Sequence, residues 1–148
     1  MSSQLKTLLQ LLPVWLLITA CQNPFLVFPG KSLSGEVAYT SSFQFAAQFP
    51  LLQLETSGYS VILRTTVIDG ELYVDAAPAR RWGKYLAETR RARLKLGDKL
   101  YPARAEVVSD EAITSRFLTG RTVYRMVPLS RLEANESVQI EANQAPRQ

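Results

Sequence analysis

Between Leu51 and Leu129 the apolar positions fall mostly at the period of two that half-buried strands require. Leu52, Leu54 and Thr56 share one face of a first strand, Leu51–Thr56, and Ser57-Gly58 is a turn signal. Ser60–Ile68 is the strongest β run, most of it β-branched. Asp69-Gly70 then separates it from Leu72, Tyr73 and Val74, a strong short-range hairpin signal. The period changes after Pro78. Trp82, Tyr85 and Leu86 stand at i, i+3 and i+4, so Arg80–Thr89 is expected to be a helix with one apolar face. Gly83 costs such a helix up to ~1 kcal/mol relative to Ala, so packing must hold it.

Alternation returns at Arg91. Ala92, Leu94 and Leu96 interleave with Arg91, Arg93 and Lys95, which predicts a strand with its basic side outward. Gly97-Asp98 turns the chain, and Tyr101, Ala103, Ala105 and Val107 give the inward face of the returning strand. Pro102 falls on the other face and predicts an edge or a bulge, because it cannot donate to a ladder. Ser109 is a candidate N-cap for a second short helix, with Asp110 and Glu111 suited to its positive end. Ile113 and Phe117 would share that helix's buried face, Gly120 would end it, and Thr122–Leu129 is a final strand. Upstream, Phe43, Phe45, Ala47 and Phe49 fit either a strand face or a short helix, closed by Pro50.

The ends of the chain read differently. Leu8–Ile18 is apolar apart from Gln10 and follows Lys6. It is too short for a span, which needs about 20 residues, but it fits a signal-peptide core. The segment Leu17-Ile18-Thr19-Ala20-Cys21 resembles the lipobox of bacterial lipoproteins. The resemblance implies cleavage after Ala20 and lipidation of Cys21, the single cysteine of the chain. Acyl chains on Cys21 would anchor the protein stably. Gln22, where an Asp would suggest inner-membrane retention, favours the periplasmic face of the outer membrane. The expected organisation is a signal peptide over 1–20, a linker over 21–35, a domain over 36–130 and a polar, disordered tail over 131–148. Within the linker, Phe25, Leu26, Val27 and Phe28 would lie against the domain or approach the membrane.

Charge narrows the functional classes. The 148-residue chain carries a formal +4. Removal of residues 1–20 takes away Lys6 and no acid, and such a mild balance argues against a dedicated nucleic-acid binder. The positive charge is concentrated, however. Arg80, Arg81, Lys84, Arg90, Arg91, Arg93, Lys95, Lys99 and Arg104 face only Glu88 and Asp98 in one 25-residue stretch. That basic face suits phosphate groups of a lipid or a ligand, or is simply solvated. The chain has no histidine, which excludes histidine triads, histidine general bases and the common zinc and non-haem iron ligand sets. No metal is expected. Gly30-Lys31-Ser32 is not a phosphate loop, because Phe25 stands where that motif needs its first glycine.

The order strand, strand, Asp-Gly, strand, helix, strand, Gly-Asp, strand, helix, strand resembles the split β-barrels related to pyridoxamine phosphate oxidase and the deazaflavin-dependent nitroreductases. Three blocks carry the resemblance. They are Ile68-Asp69-Gly70-Glu71-Leu72-Tyr73-Val74, then Arg81-Trp82-Gly83-Lys84-Tyr85-Leu86, and then the segment from Arg91 through Gly97-Asp98 to Ala105. The resemblance implies a mainly β (α+β) fold: a six- or seven-stranded antiparallel split barrel with two short helices, after an N-terminal signal segment. It also implies FMN or a related flavin phosphate, held by Arg80 and Arg81 at the helix entry and by Ser60 and Arg64 on the second strand, in a chain that can form a homodimer. Arginine suits phosphate because its fork donates two parallel bonds. Any redox step would belong to the cofactor. Two positions depart from the family. The nitroreductase turn Gly-Arg-Lys-Ser-Gly is replaced by Thr56-Ser57-Gly58-Tyr59-Ser60, and Ala79 stands where the oxidases have a Ser before the basic pair. Two functional readings follow. One is an envelope-anchored barrel that binds FMN or another anionic ligand. The other is a non-catalytic envelope lipoprotein whose basic face meets anionic lipid or a protein partner.

Overall fold

The computed structural model describes residues 30–136. The expected signal peptide, Cys21, the linker up to 29 and the tail from 137 lie outside these residues. The described chain folds as a mainly antiparallel split β-barrel. Its strands are β1 (Glu36–Val37), β2 (Leu51–Thr56), β3 (Tyr59–Arg64), β4 (Thr66–Ile68), β5 (Glu71–Ala76), β6 (Arg91–Leu96), β7 (Lys99–Val107) and β8 (Thr122–Pro128). They hydrogen-bond in the order β3-β2-β6-β7-β8-β5-β4, with β1 added in parallel beside β7.

The continuous β run Ser60–Ile68 turns out to be two strands. β3 pairs with β2, and β4 pairs with β5, at opposite ends of the sheet. Only Thr65 separates them, and its N–H donates to the carbonyl of Pro50 at 3.2 Å. The sheet is therefore bent round until one strand serves both of its edges. The hairpin turns match their sequence signals. Ser57 and Gly58 both have positive φ, 48° and 69°, and Asp69 and Gly70 repeat this at 52° and 83°. Two consecutive positive φ values mark the type I′ turn, whose twist matches that of the strands it joins.

Alternation sorts the sheet into two faces. Leu52 and Leu54 of β2, Leu72 and Val74 of β5, Leu94 and Leu96 of β6, Ala103 and Ala105 of β7, and Tyr124 and Met126 of β8 form one inner core. One side of that core is covered by a 3-10 turn, Gln44–Gln48, so the helical alternative holds for the Phe43–Phe49 segment. Phe43 and Ala46 are buried there, and Phe45 packs on Tyr101 with ring centroids 5.2 Å apart.

The helix α1 (Arg81–Thr89) supplies the rest of the cover, burying Trp82 and Leu86, while Tyr85 is half-buried against Tyr59. Pro78 precedes the helix, and Arg80, expected as its first residue, is the N-cap. On the outer face, α2 (Glu111–Thr114) closes a smaller cluster of Ile68, Tyr73 and Val123, with Ile113 and Phe117 packed against it. Its N-cap is Asp110, not Ser109, because the Asp110 carboxylate accepts from Ala112 N at 2.9 Å.

Pro102 also differs from expectation. It lies inside a central strand, opposite Arg93 of β6. Its carbonyl accepts from Leu129 N, one residue past the end of β8, at 3.0 Å, close to where β7 exchanges β8 for β1. The reciprocal bond, from residue 102 back to the Leu129 carbonyl, is the one rung the proline forgoes.

Residues 131–136 are helical. Ser130 Oγ accepts from Glu133 N and the Glu133 carboxylate accepts from Ser130 N, a reciprocal cap.

Candidate functional site

The chain between Gly30 and Val37 forms a strap across the outer face of the sheet. Gly30 N donates to Ser60 O on β3 at 3.2 Å. Leu33, itself buried, donates its N–H to the Glu55 carboxylate on β2 and accepts at its carbonyl from Arg93 Nη2 on β6 at 3.4 Å. Ser34 O accepts from Lys95 Nζ at 2.9 Å, and Ala38 N donates to Leu100 O on β7 at 2.8 Å. Four strands are tied by one crossing segment.

The tie at its centre is ionic. Arg93 Nη2 lies 2.7 Å from both oxygens of Glu55, whose side chain is only 8% exposed. A carboxylate so buried needs such partners, because desolvation of an unpaired charge costs several kcal/mol. Thus the alternating basic strand does not present a uniform cationic face. Arg93 is neutralised by Glu55, and Lys95 is engaged by the strap.

The four residues expected to hold a flavin phosphate are not brought together. Ser60 is fully buried on the outer face, beneath the strap, and its Oγ makes no hydrogen bond. Arg64 is exposed on the same face, four residues along β3 from Ser60, or roughly 13 Å at strand rise. Arg80 and Arg81 are exposed at the start of α1, and the Arg81 guanidinium lies over the ring of Tyr59, 6.0 Å from its centroid. Tyr59 and Ser60 are neighbours on one strand, so their side chains point to opposite faces. These residues form no single cradle for a flavin phosphate.

Two clefts open elsewhere. One, of about 390 Å³, runs along the outer face between the strap and helix 131–136. Arg91, Arg93 and Pro102 line its floor, Val37, Tyr39 and Leu129 its sides, and the Ser57-Gly58 turn one end. Thr56 and Thr89 also line it, with their hydroxyls 3.1 Å apart. The bonds of Arg93 to Glu55 and Leu33 all run through Nη2, so Nε and Nη1 are not used in them. The Arg131 guanidinium sits 5.4 Å from the Tyr39 ring centroid, joining the helix to the chain just after the strap across the cleft's margin.

The second cleft, of about 360 Å³, is lined by a chain of charges across β5, β8 and β7. Arg125 bridges Glu71 at 3.1 Å and Glu106 at 2.6 Å, Arg104 meets Glu106 at 2.9 Å, and Tyr73 donates its hydroxyl to Glu71 at 2.9 Å. The guanidinium of Arg125, then that of Arg104, holds the Glu106 carboxyl below its ordinary range. Burial, then the bond to Glu71, pushes the Tyr73 phenol up. Here two acids answer two bases. The sequence could not place either cleft, since Val37, Glu55, Arg93 and Leu129 come from distant parts of the chain. The Arg91-Ala92-Arg93 alternation was the one local signal of the first.

Fold and site together define a split β-barrel with an arginine-lined groove on its outer face. No family model matches the chain, and no curated protein matches it. Among solved structures it is similar to a Listeria innocua protein provisionally assigned as a pyridoxamine 5'-phosphate oxidase, at 16% identity and a TM-score of 0.44, covering 57% of this chain and 88% of that one. It is also similar to HutZ, the haem storage protein of Vibrio cholerae, at 14% identity and a TM-score of 0.43, covering 59% and 87%. Likenesses this remote bear on neither ligand nor activity. The fold rests on the strand order and register given above.

Proposed function

We propose that this chain is a lipid-anchored protein of the bacterial envelope whose barrel is a binding module for an anionic ligand, taken in the outer-face groove. The observation that carries the ligand reading is the position of Arg93. Its Nη2 is fixed on the buried Glu55, which holds the rest of the guanidinium pre-organised at the floor of a 390 Å³ groove. That volume is in the range of small-molecule sites, and a fixed guanidinium loses little freedom when it binds an anion. Tyr39, Val37 and Leu129 add apolar surface for the body of the ligand. A phosphate-bearing aromatic such as FMN has this chemistry. The anchored location is supported by the Leu17–Cys21 pattern.

The test is a titration of the mature chain carrying Cys21→Ser with FMN, read by flavin fluorescence, and with pyridoxal phosphate and inorganic phosphate in competition. Saturable binding is expected, weakened about tenfold by Tyr39→Ala or Arg91→Gln and unchanged by Arg64→Gln. Absence of binding up to millimolar ligand would sink the reading. Loss of binding in Arg80→Gln/Arg81→Gln with the groove variants intact would move the site to the helix end.

A further inference from the structure

The start of α1 is electrostatically one-sided. Arg80 is its N-cap, Arg81 its first residue and Lys84 its fourth, all exposed. The first turn contains no acid, and no side chain caps it. Cations at this end oppose the helix dipole, so the fold itself gives no reason for them. Glu88 stands one turn further on, towards the other end.

A second, independent observation concerns the strap. Gly30 begins it beside Tyr59: a Cβ on Gly30 would lie 3.5 Å from the Tyr59 ring. The Arg81 guanidinium lies over that same ring. The chain leading back towards Cys21 therefore leaves the barrel next to the uncompensated cations. Eight residues lie between Cys21 and Gly30, so the two are at most about 30 Å apart along the chain.

We infer that the α1 start, with Arg80, Arg81 and Lys84, is the face that the anchored protein turns to an anionic bilayer. The inference rests on the anchored reading above. The short tether keeps this face close to the headgroups. There each cation adds about fivefold to affinity for an anionic surface, and salt suppresses the attraction beyond about 10 Å. Arg93 contributes little to this docking, because Glu55 neutralises it. The groove opens elsewhere, on the outer face, and stays accessible to ligand.

The test uses the full mature chain with Cys21→Ser, sedimented with vesicles of about one-third phosphatidylglycerol and with neutral phosphatidylcholine vesicles. Preference for the anionic vesicles is expected, falling about 100-fold in Arg80→Gln/Arg81→Gln/Lys84→Gln and less than threefold in the charge-matched control Arg64→Gln/Lys99→Gln/Arg116→Gln. Equal losses in the two triple variants, or no preference for anionic vesicles, would overturn the docking face. Thermal melts show whether each variant is folded, and the α1 triple is expected to melt no lower than the parent. Labelling of the unmutated protein with radioactive palmitate reports the anchor separately. Unlabelled protein would overturn the anchored reading and the orientation with it. Labelled protein without α1-dependent vesicle binding would overturn the orientation alone.

Discussion

A Cβ on Gly83 would stand 2.8 Å from the Cβ of Ala76, so the backbone of α1 rests directly on β5. The glycine therefore serves approach, not conformation. Gly83→Ala gains up to ~1 kcal/mol of helix propensity. The clash should cost more, leaving the variant about 1–3 kcal/mol less stable by urea denaturation. Ala76→Gly in the same chain should recover part of the loss. A Gly83→Ala variant as stable as the parent would show that α1 can move away without penalty.

The Glu55–Arg93 pair predicts unequal effects from its two halves. Arg93→Met leaves a buried carboxylate with Leu33 N as its remaining partner and should cost about 2–4 kcal/mol. Glu55→Gln leaves an arginine that is 41% exposed and can hydrate, so about 1 kcal/mol is expected. Hydrogen exchange at the Leu33 amide should accelerate in both. Equal destabilisation by the two would contradict the assigned burial.

Glu106 and Tyr73 bound stability on opposite sides of neutrality. The folded pKa of Glu106 is depressed, so its contribution is present above its unfolded value, about 4.5, and is lost as pH falls through the folded one. The folded pKa of Tyr73 is raised, so its contribution is complete below about pH 10 and is lost as pH rises through the folded value. Melting temperature against pH should show a shallower acid limb for Glu106→Gln and a shallower alkaline limb for Tyr73→Phe. The acid effect should be about 0.5 kcal/mol, because the Arg125–Glu106 pair is well exposed and screened.

Ser57 holds a φ of 48° at the first position of the β2–β3 turn. Asn tolerates that conformation better than Ser. Ser57→Asn should therefore stabilise the protein by about 0.5 kcal/mol, read as a raised melting temperature. A fall would mean that contacts of Ser57 at the groove end outweigh its backbone preference.

What the sequence reveals is local. The turns at Ser57-Gly58, Asp69-Gly70 and Gly97-Asp98 and the faces of β2, β6 and α1 follow from neighbours a few residues apart. The division at Thr65 does not, because nothing in a uniformly β-branched run marks where it leaves one neighbour for another. That point is set by closure of the whole sheet. The strap is equally hidden. Leu33 and Ser34 find their partners in Glu55, Arg93 and Lys95, and those partners make a strand face that looks solvated into one that is covered. For the same reason Ser60, polar and on an outward face, is buried. The Ser130–Glu133 cap was readable, and it makes a helix where composition alone predicts a tail.

The single residue between β3 and β4 makes the two hairpins share one ruler. A slip of one position between β2 and β3 would carry Ser60 from the outer face to the inner one. The same slip would draw β4 one position along β5, since Thr65 leaves no slack to absorb it. Each hairpin thus proofreads the alignment of the other, and a chain that mispairs at one edge of the sheet must also mispair at the opposite edge.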